Sequence, residues 1–405
     1  MSNTWRLTPP LPVLDGFSSE GPFLTGFWDF ETVRHRSDRV LFEHQKVGSA
    51  YLLDNWGGAL FMGCRTGKSL TLVDAIIEGM IFPHLIVCPV SVMATWVTEL
   101  LAEGLKRDEI HVVKPGDRSS QLTRPGPLVT IINFEVIKPT QALRIRDEIP
   151  EALNLPHWSG ISIDESYRIA NPESNTTQEI LRAPHHPGQF RSILSGAPAP
   201  ESGLNLASQF LFTFGTFFGA VSIVSYLLKY WRADKRSRKW IPTKRGHIQD
   251  IKDMSQEKAF CVKMSDLDLG VEKLHLIWEV DPTPEQKKQL RWCKLATSYQ
   301  GNDPKTGKPK TMEMTPLVRS TYISKVCAGV HPLTGEIIST AKGQLLCDWL
   351  TDHPGESVLA LSRFTGPIRA TADLLRANGF KCETITGKTK PMDRERIRVA
   401  FQAGE

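Results

Sequence analysis

The stretch Gly58–Gly79, GALFMGCRTGKSLTLVDAIIEG, decides the fold. An apolar run leads into the turn Met62–Ser69, and a helical pattern follows. Such a turn between a strand and a helix directs backbone N–H groups at phosphate oxygens. We predict a phosphate loop in which Lys68 contacts the β and γ phosphates and Ser69 binds Mg²⁺. Met62 occupies the first glycine position of the usual pattern, so the turn by itself leaves the prediction open.

A second apolar strand, at Ile161–Glu165, ends in two carboxylates. Ligands of parallel sheets collect at the carboxyl ends of the strands. We therefore predict that Asp164 binds Mg²⁺ and that Glu165 positions and deprotonates the water attacking the γ-phosphate. A solvated turn is the alternative for an isolated Asp-Glu pair, but the position of this pair after the phosphate loop favours a nucleotide site.

The chain outside these motifs alternates short apolar runs with helical patterns, which predicts an α/β fold with a parallel sheet covered by helices. A second alternation starts at Lys342, with strands predicted over 357–361 and 381–385. Because these elements make only half of a doubly wound sheet, we expect this last domain to be incomplete. The predicted domains are an N-terminal extension (1–38), a first lobe (39–215), a helical and basic insertion with a linker (216–335) and a partial second lobe (336–405).

Composition excludes several classes of protein. The 7 cysteines are scattered without a CxxC pair, which argues against a disulfide framework or a zinc cluster and favours the cytoplasm. No secretory signal is visible at the N-terminus. Leu204–Leu228 lacks charge over a length that could cross a bilayer, but its polar residues and glycines favour two short buried helices over a membrane span.

The positive charge of the chain is local. Between Lys229 and Arg245 lie eight basic residues and one acidic residue. This strip predicts contact with a polyanion, and a solvated helix face is the alternative. The residues expected to contact nucleic acid there are Lys235, Arg236, Arg238 and Lys239.

Several ordered segments resemble the Swi/Snf-type DNA translocases of helicase superfamily two. They include LFEHQKVGSAYLL from Leu41, LIVCPVSVMATWVTEL from Leu85, IDESYRIANPESNTTQ from Ile163 and ILSGAPAPES from Ile193. The resemblance implies that Gln45 reads the adenine of ATP and that Arg65, Thr66 and Gly67 border the phosphates with Lys68 and Ser69. It also implies nucleic-acid contacts for Pro89 and Ser91. The same is implied for the turn at Ser195 and Gly196, which in the family links the bound nucleotide to the affinity for DNA.

The chain departs from the family pattern at several positions. Ser166 and Tyr167 replace the usual Ala and His after the carboxylates, and Ala197 lacks the hydroxyl expected in the turn after Ser195. In the phosphate loop, Arg65 and Gly63 have exchanged the family's glycine and acidic positions. Coupling through the Ser195–Pro198 turn is therefore expected to differ from the usual arrangement.

The resemblance implies two RecA-like lobes with a helical insertion between them, ATP in the cleft and double-stranded DNA along both lobes. The sequence stops before the family's motifs V and VI, so we expect nucleotide binding with poor hydrolysis unless a second polypeptide or a further C-terminal segment completes the second lobe. The alternatives are a non-catalytic DNA-binding or assembly factor and an RNA helicase of the same superfamily. The compact layout suggests a bacterial or phage origin.

Overall fold

The computed structural model describes residues 39–113, 126–137, 158–183, 185–199, 203–234, 239–244, 246–267, 276–302 and 308–404. The chain forms two compact units, residues 1–271 and 272–405. The predicted N-terminal extension lies outside the described residues, and the predicted domain boundaries stay predictions.

The first unit is built on a seven-stranded sheet in the order β3-β4-β2-β5-β6-β1-β9, and every neighbouring pair is parallel. The strands are β1 (Gly57–Met62), β2 (His84–Cys88), β3 (Ile110–Val112), β4 (Val129–Asn133), β5 (Gly160–Asp164), β6 (Phe190–Leu194) and β9 (Ala259–Val262). Strand β9 comes after the predicted end of the first lobe at residue 215, yet it pairs with β1 and belongs to the same sheet. The predicted α/β fold with a parallel sheet is confirmed.

Helices cover both faces of this sheet. The helices of the first unit are α1 (Glu43–Asp54), α2 (Lys68–Glu78), α3 (Met93–Ala102), α4 (Phe134–Ile137), α5 (Asn175–Arg182), α6 (Asn205–Phe214), α7 (Ile223–Tyr230) and α8 (His247–Glu257). Successive strand residues point to opposite faces, so each strand supplies both cores. Ile161 and Ile163 pack in the core that includes α6, whereas Ile86 and Leu194 pack in the core that includes α2 and α3.

The uncharged stretch from Leu204 forms the two helices α6 and α7, as the sequence predicts. Helix α6 is buried at eight of its residues, since it lies against the sheet. In the described ranges, none of the helices combines the length and the apolarity needed to cross a membrane.

The second unit contains helices and one antiparallel hairpin. Its elements are α9 (Pro284–Leu295), β10 (Ser298–Asn302), β11 (Pro309–Glu313), α10 (Pro316–Cys327), α11 (Ala341–Asp352), α12 (Thr365–Ala377) and α13 (Pro391–Gln402). The helices predicted after Lys342 are confirmed, but the strands predicted at 357–361 and 381–385 are wrong for the described structure, which has no strand there. The physical reason is the absence of hydrogen-bonding neighbours along these segments, and Leu361 is 87% exposed.

Candidate nucleotide site

The candidate site lies where three parallel strands end. Strands β1 and β5 carry the phosphate loop and the carboxylates, and β6 lies between them in the sheet. Because all three are parallel, their carboxyl ends meet at one edge of the sheet. Two backbone bonds hold the edge together: Ser195 N–H donates to the carbonyl of Leu60 at 3.1 Å, and Gly63 N–H donates to the carbonyl of Val262 at 2.8 Å.

Two side chains of helix α1 hold the phosphate loop through hydrogen bonds. His44 Nε2 donates to the carbonyl of Thr66 at 2.8 Å, and Gln45 Nε2 donates to the same oxygen at 3.3 Å. Gly67 precedes α2 with a φ of 82°, and a Cβ at this position would collide with the Gln45 amide. His44, which stands where the family usually has an aromatic residue, therefore holds the loop through a polar contact.

Gln45 has both ends of its amide engaged within the protein. Its Oε1 accepts from the backbone N–H of Phe42 at 2.9 Å, and the residue is 4% exposed. The arrangement places Gln45 directly beside the phosphate loop. Its predicted contact with adenine stays a prediction.

Lys68 is the first residue of α2 and bends back over the loop. Its Nζ donates to the carbonyls of Met62 and Gly63 at 3.0 Å and 3.2 Å. The charge of Lys68 acts to lower the pKa of both Asp164 and Glu165. The lysine and the two carboxylates therefore share one electrostatic environment at the edge of the sheet.

Asp164 is 7% exposed, and both of its carboxylate oxygens accept a hydrogen bond. Trp96 Nε1 on α3 donates to Oδ2 at 2.9 Å, and the backbone N–H of Glu165 donates to Oδ1 at 2.8 Å. Burial raises the pKa of Asp164, and these two bonds and Lys68 act against that rise. Trp96 and the Glu165 amide therefore fix the orientation of the Asp164 carboxylate at the edge of the sheet.

Glu165 has left-handed backbone angles, with φ 51° and ψ 52°, which are uncommon for a residue with a side chain. Burial raises the pKa of Glu165, and the neighbouring Asp164 raises it further. Left-handed angles at Glu165 redirect the chain at the end of β5 into a 3₁₀ turn, Ser166–Ile169.

An open cleft adjoins the loop, lined by Arg65, Gly67, Lys68, Ser69 and Leu70 together with Arg39 and Glu99. Arg39 Nη1 donates to Glu99 Oε2 at 2.6 Å. Arg65 has a φ of 65° at the position where the family has glycine. Arg39 is thus paired with Glu99, and Arg65 and Lys68 give the lining a net positive charge, which suits an anionic ligand.

The donor set fits a magnesium nucleotide. Mg²⁺ is usually held by one or two carboxylates plus substrate phosphates rather than by a cage of protein ligands. Asp164 and the hydroxyl of Ser69 supply such a set, and no group of three or more His, Cys, Asp or Glu that could hold a metal ion occurs among the described residues.

Comparison with known proteins agrees with this geometry. The model of the SNF2-related domain matches residues 26–238, which is more than half of the chain. The chain belongs to the SNF2-related domain family. Membership places it among helicase-like proteins with an ATP-binding P-loop fold, and the resemblance stated from the motifs is confirmed.

Two relatives of this SNF2-family chain are much longer proteins. The mouse chromodomain-helicase-DNA-binding protein 6 is 27% identical over 201 residues, which cover 45% of this chain and 7% of that protein. The TATA-binding protein-associated factor mot1 of Aspergillus fumigatus is 29% identical over 141 residues, 35% of this chain and 7% of that protein. Both relatives are eukaryotic, so the predicted bacterial or phage origin gains no support from them.

A solved structure, the Sulfolobus solfataricus SWI2/SNF2 ATPase core in complex with dsDNA, is also similar to the SNF2-family chain. It superposes with a TM-score of 0.49 at 15% identity, covering 91% of this chain and 76% of that one.

The residues predicted to contact nucleic acid in the first unit differ in exposure. Ser91 and Gly196 are exposed, whereas Pro89 and Ser195 are buried. The hydroxyl of Ser195 accepts from the backbone N–H of Ala197 at 3.1 Å, so this side chain shapes its own turn. The contacts with nucleic acid stay predictions.

The basic strip is only partly visible in the SNF2-family structure. Strands β7 (Trp231–Asp234) and β8 (Lys239–Pro242) form an antiparallel hairpin, and Lys239 is the first residue of β8. Lys235, Arg236 and Arg238 lie outside the described residues. The predicted alternative of a helix face does not apply to β7 and β8, which are strands.

Sequence reasoning missed two residues that hold the site. Trp96 lies in the segment resembling the family, but spacing cannot show that its indole N–H reaches Asp164 on another element. Gln209 lies in the uncharged stretch and contacts Ser166, directly after the carboxylates. A polar amide in a helix this apolar must find buried partners, and that was the available signal.

Proposed function

We propose that this chain is an ATPase that uses ATP hydrolysis to translocate along double-stranded DNA. The observation that carries the proposal is the position of Lys68, Asp164 and Glu165 after the carboxyl ends of the parallel strands β1 and β5, which both pair with β6. The family membership and the basic cleft support it.

Each residue has a chemical task in this proposal. Lys68 and the loop amides bind the β and γ phosphates, while Ser69 and Asp164 hold Mg²⁺. The ion neutralises charge that develops on the phosphates. Glu165 orients the attacking water and accepts its proton, and a pKa raised by burial suits a base that works near neutral pH.

DNA as the polyanion is proposed on three grounds. The family resemblance implies a duplex, a strip of eight basic residues lies between Lys229 and Arg245, and both relatives named above have DNA or a TATA-binding protein in their names. Contacts with phosphates dominate such binding, so affinity should depend weakly on sequence and fall steeply with salt.

The test is an ATPase assay of the full chain with and without duplex DNA. Lys68→Ala should abolish turnover, whereas Lys46→Ala should not, because Lys46 is an exposed lysine on α1 whose ammonium lies 3.6 Å from the Glu43 carboxylate. Duplex RNA in place of DNA should stimulate less. DNA binding that is indifferent to ATP and to Lys68→Ala would contradict the motor and indicate a scaffold.

A further inference from the structure

Gln209 is an amide buried in the apolar core beneath the candidate site. It lies on α6 with no measurable exposure, although a glutamine is costly to bury without partners. All of its polar groups are satisfied. Nε2 donates to the carbonyls of Pro198 and Asn205, both at 2.7 Å, and Oε1 accepts from the hydroxyl of Ser166 at 2.6 Å.

The direction of these bonds is fixed by chemistry. The carbonyls of Pro198 and Asn205 can only accept, so the NH₂ group of Gln209 must face them. Oε1 then faces Ser166, whose hydroxyl must donate. Ser166 is itself fully buried, so its hydroxyl depends on this contact.

Two of the three partners of Gln209, Ser166 and Pro198, belong to different parts of the site. Ser166 directly follows Glu165 and begins the turn after β5, while Pro198 lies in the turn after β6. Gln209 therefore joins the segment that carries the proposed base to the segment that follows the neighbouring strand. Glu165 and Ser166 are consecutive, so a displacement of the Glu165 backbone would also move the Ser166 hydroxyl that donates to Gln209.

Three features of the chain fit together here. Ala197 lacks the hydroxyl that the resembling family has in this turn, and Ser166 adds a hydroxyl where the family has alanine. Gln209 connects the two places: it accepts a hydrogen bond from the Ser166 hydroxyl and donates one to the carbonyl of Pro198, the residue after Ala197.

We propose that Gln209 is a positioning residue that couples the Glu165–Ser166 turn to the Ser195–Pro198 turn, so that the nucleotide bound at the first turn sets the conformation of the second. The inference rests on the proposed function, because it assigns a route between ATP and DNA. Gln209 itself touches neither ligand.

The decisive variant is the pair Ser166→Ala with Gln209→Leu in the full chain. It removes the hydroxyl and the amide of the Ser166–Gln209 bond together, so neither is left unsatisfied, and the carbonyl that loses its donor belongs to the half-buried Pro198; the fold should therefore persist. We expect the affinity for ATP to stay within about twofold and the ratio of DNA-stimulated to basal ATPase to fall at least about fivefold, a typical size for coupling between sites. A ratio that stays within about twofold of the unmodified chain would overturn the proposal.

Thr213→Val is the matched control. Thr213 lies on the same helix and also makes a buried bond, from its Oγ1 to the carbonyl of Gln209 at 2.9 Å, but it touches neither turn. This variant should keep the stimulation ratio. A loss equal to that of the double variant would mean that any weakened bond in α6 has the same effect, and the specific role of Gln209 would be refuted.

A readout without turnover separates this proposal from the proposed function. Hydrogen exchange of the backbone at 195–198 should change when a slowly hydrolysed ATP analogue and Mg²⁺ are added, and the double variant should lose that response while still binding the analogue. This result would support the coupling even in a chain that does not hydrolyse ATP. A response retained in the double variant would refute the coupling even in an active motor.

Discussion

The first and second units carry the same sequence pattern with different outcomes. In the first unit, apolar runs become strands of a sheet that helices cover on both faces. Ile161 and Ile163 in β5 have no exposed surface. In the second unit, the run at 357–361 pairs with no strand in the described structure, and Leu359 and Leu361 are 72% and 87% exposed. Helices form in both units at the predicted places.

The difference shows which part of the pattern is local. A helix satisfies its backbone within its own segment, so the pattern is enough to predict α11, α12 and α13. A parallel strand satisfies its backbone only through neighbours that are distant in sequence. An apolar run is therefore a candidate strand until its neighbours are found, and the first unit supplies them.

The largest expected effect tests where the chemistry lies. Glu165→Gln should lower DNA-stimulated ATPase at least about 100-fold, because it removes the proposed base. Its melting temperature should not fall, since the change also removes a half-buried charge next to Asp164. The measurement is steady-state ATPase beside thermal unfolding.

Glu356→Gln is the matched control for that change, since Glu356 is an exposed glutamate of the second unit. It should leave the rate unchanged. If both variants lost the same fraction of ATPase activity, the assignment of the proposed base to Glu165 at the end of β5 would be wrong.

The next effect tests the contrast in packing directly. Ile161→Ala should destabilise the first unit by about 2–5 kcal/mol, the usual cost of truncating a buried aliphatic side chain. Leu361→Ala should change stability by less than about 0.5 kcal/mol, because the side chain is already in solvent. Denaturant unfolding of the full chain, followed by hydrogen exchange in each unit, measures both.

A large cost for Leu361→Ala would mean that residues 357–361 are covered in solution. The contrast between the units would then be wrong at this segment.

The smallest effect concerns pH and the buried polar groups of the sheet. His84 in β2 is fully buried, its Nε2 lies 2.8 Å from the hydroxyl of Ser162, and burial lowers the pKa of His84 to about 3. The unfolded chain takes up this proton near pH 6.5, whereas the folded chain does not. Stability should therefore fall as the pH drops from about 6.5 towards 3, by at most about 1.4 kcal/mol per pH unit from this residue.

His84→Gln should flatten that dependence, since glutamine does not titrate. The raised pKa values of Asp164 and Glu165 act in the opposite sense, because the folded chain then takes up protons first. They are common to both proteins, so the difference in slope between pH 6.5 and 4.5 isolates His84. Parallel curves would contradict the assignment.

Much of the first unit could be predicted from sequence. The strand Gly160–Asp164 and the helix from Lys68 follow from the apolar run before the two carboxylates and from the helical pattern after the phosphate loop. The three main site residues follow from the motifs at the ends of β1 and β5. Trp96 and Gln209 could not be placed, because their partners lie 68 and 43 residues away in the sequence.

The sequence by itself determined the class of fold, the phosphate loop and the pair of carboxylates, because these depend on short segments with local periodicity. Only the tertiary structure decided which apolar runs become strands, that β9 joins the sheet of the first unit, and that His44 and Gln209 brace the site. Hydrogen bonds between distant segments fix these features. The contribution of each bond to the free energy of folding depends on which polar groups the fold buries together.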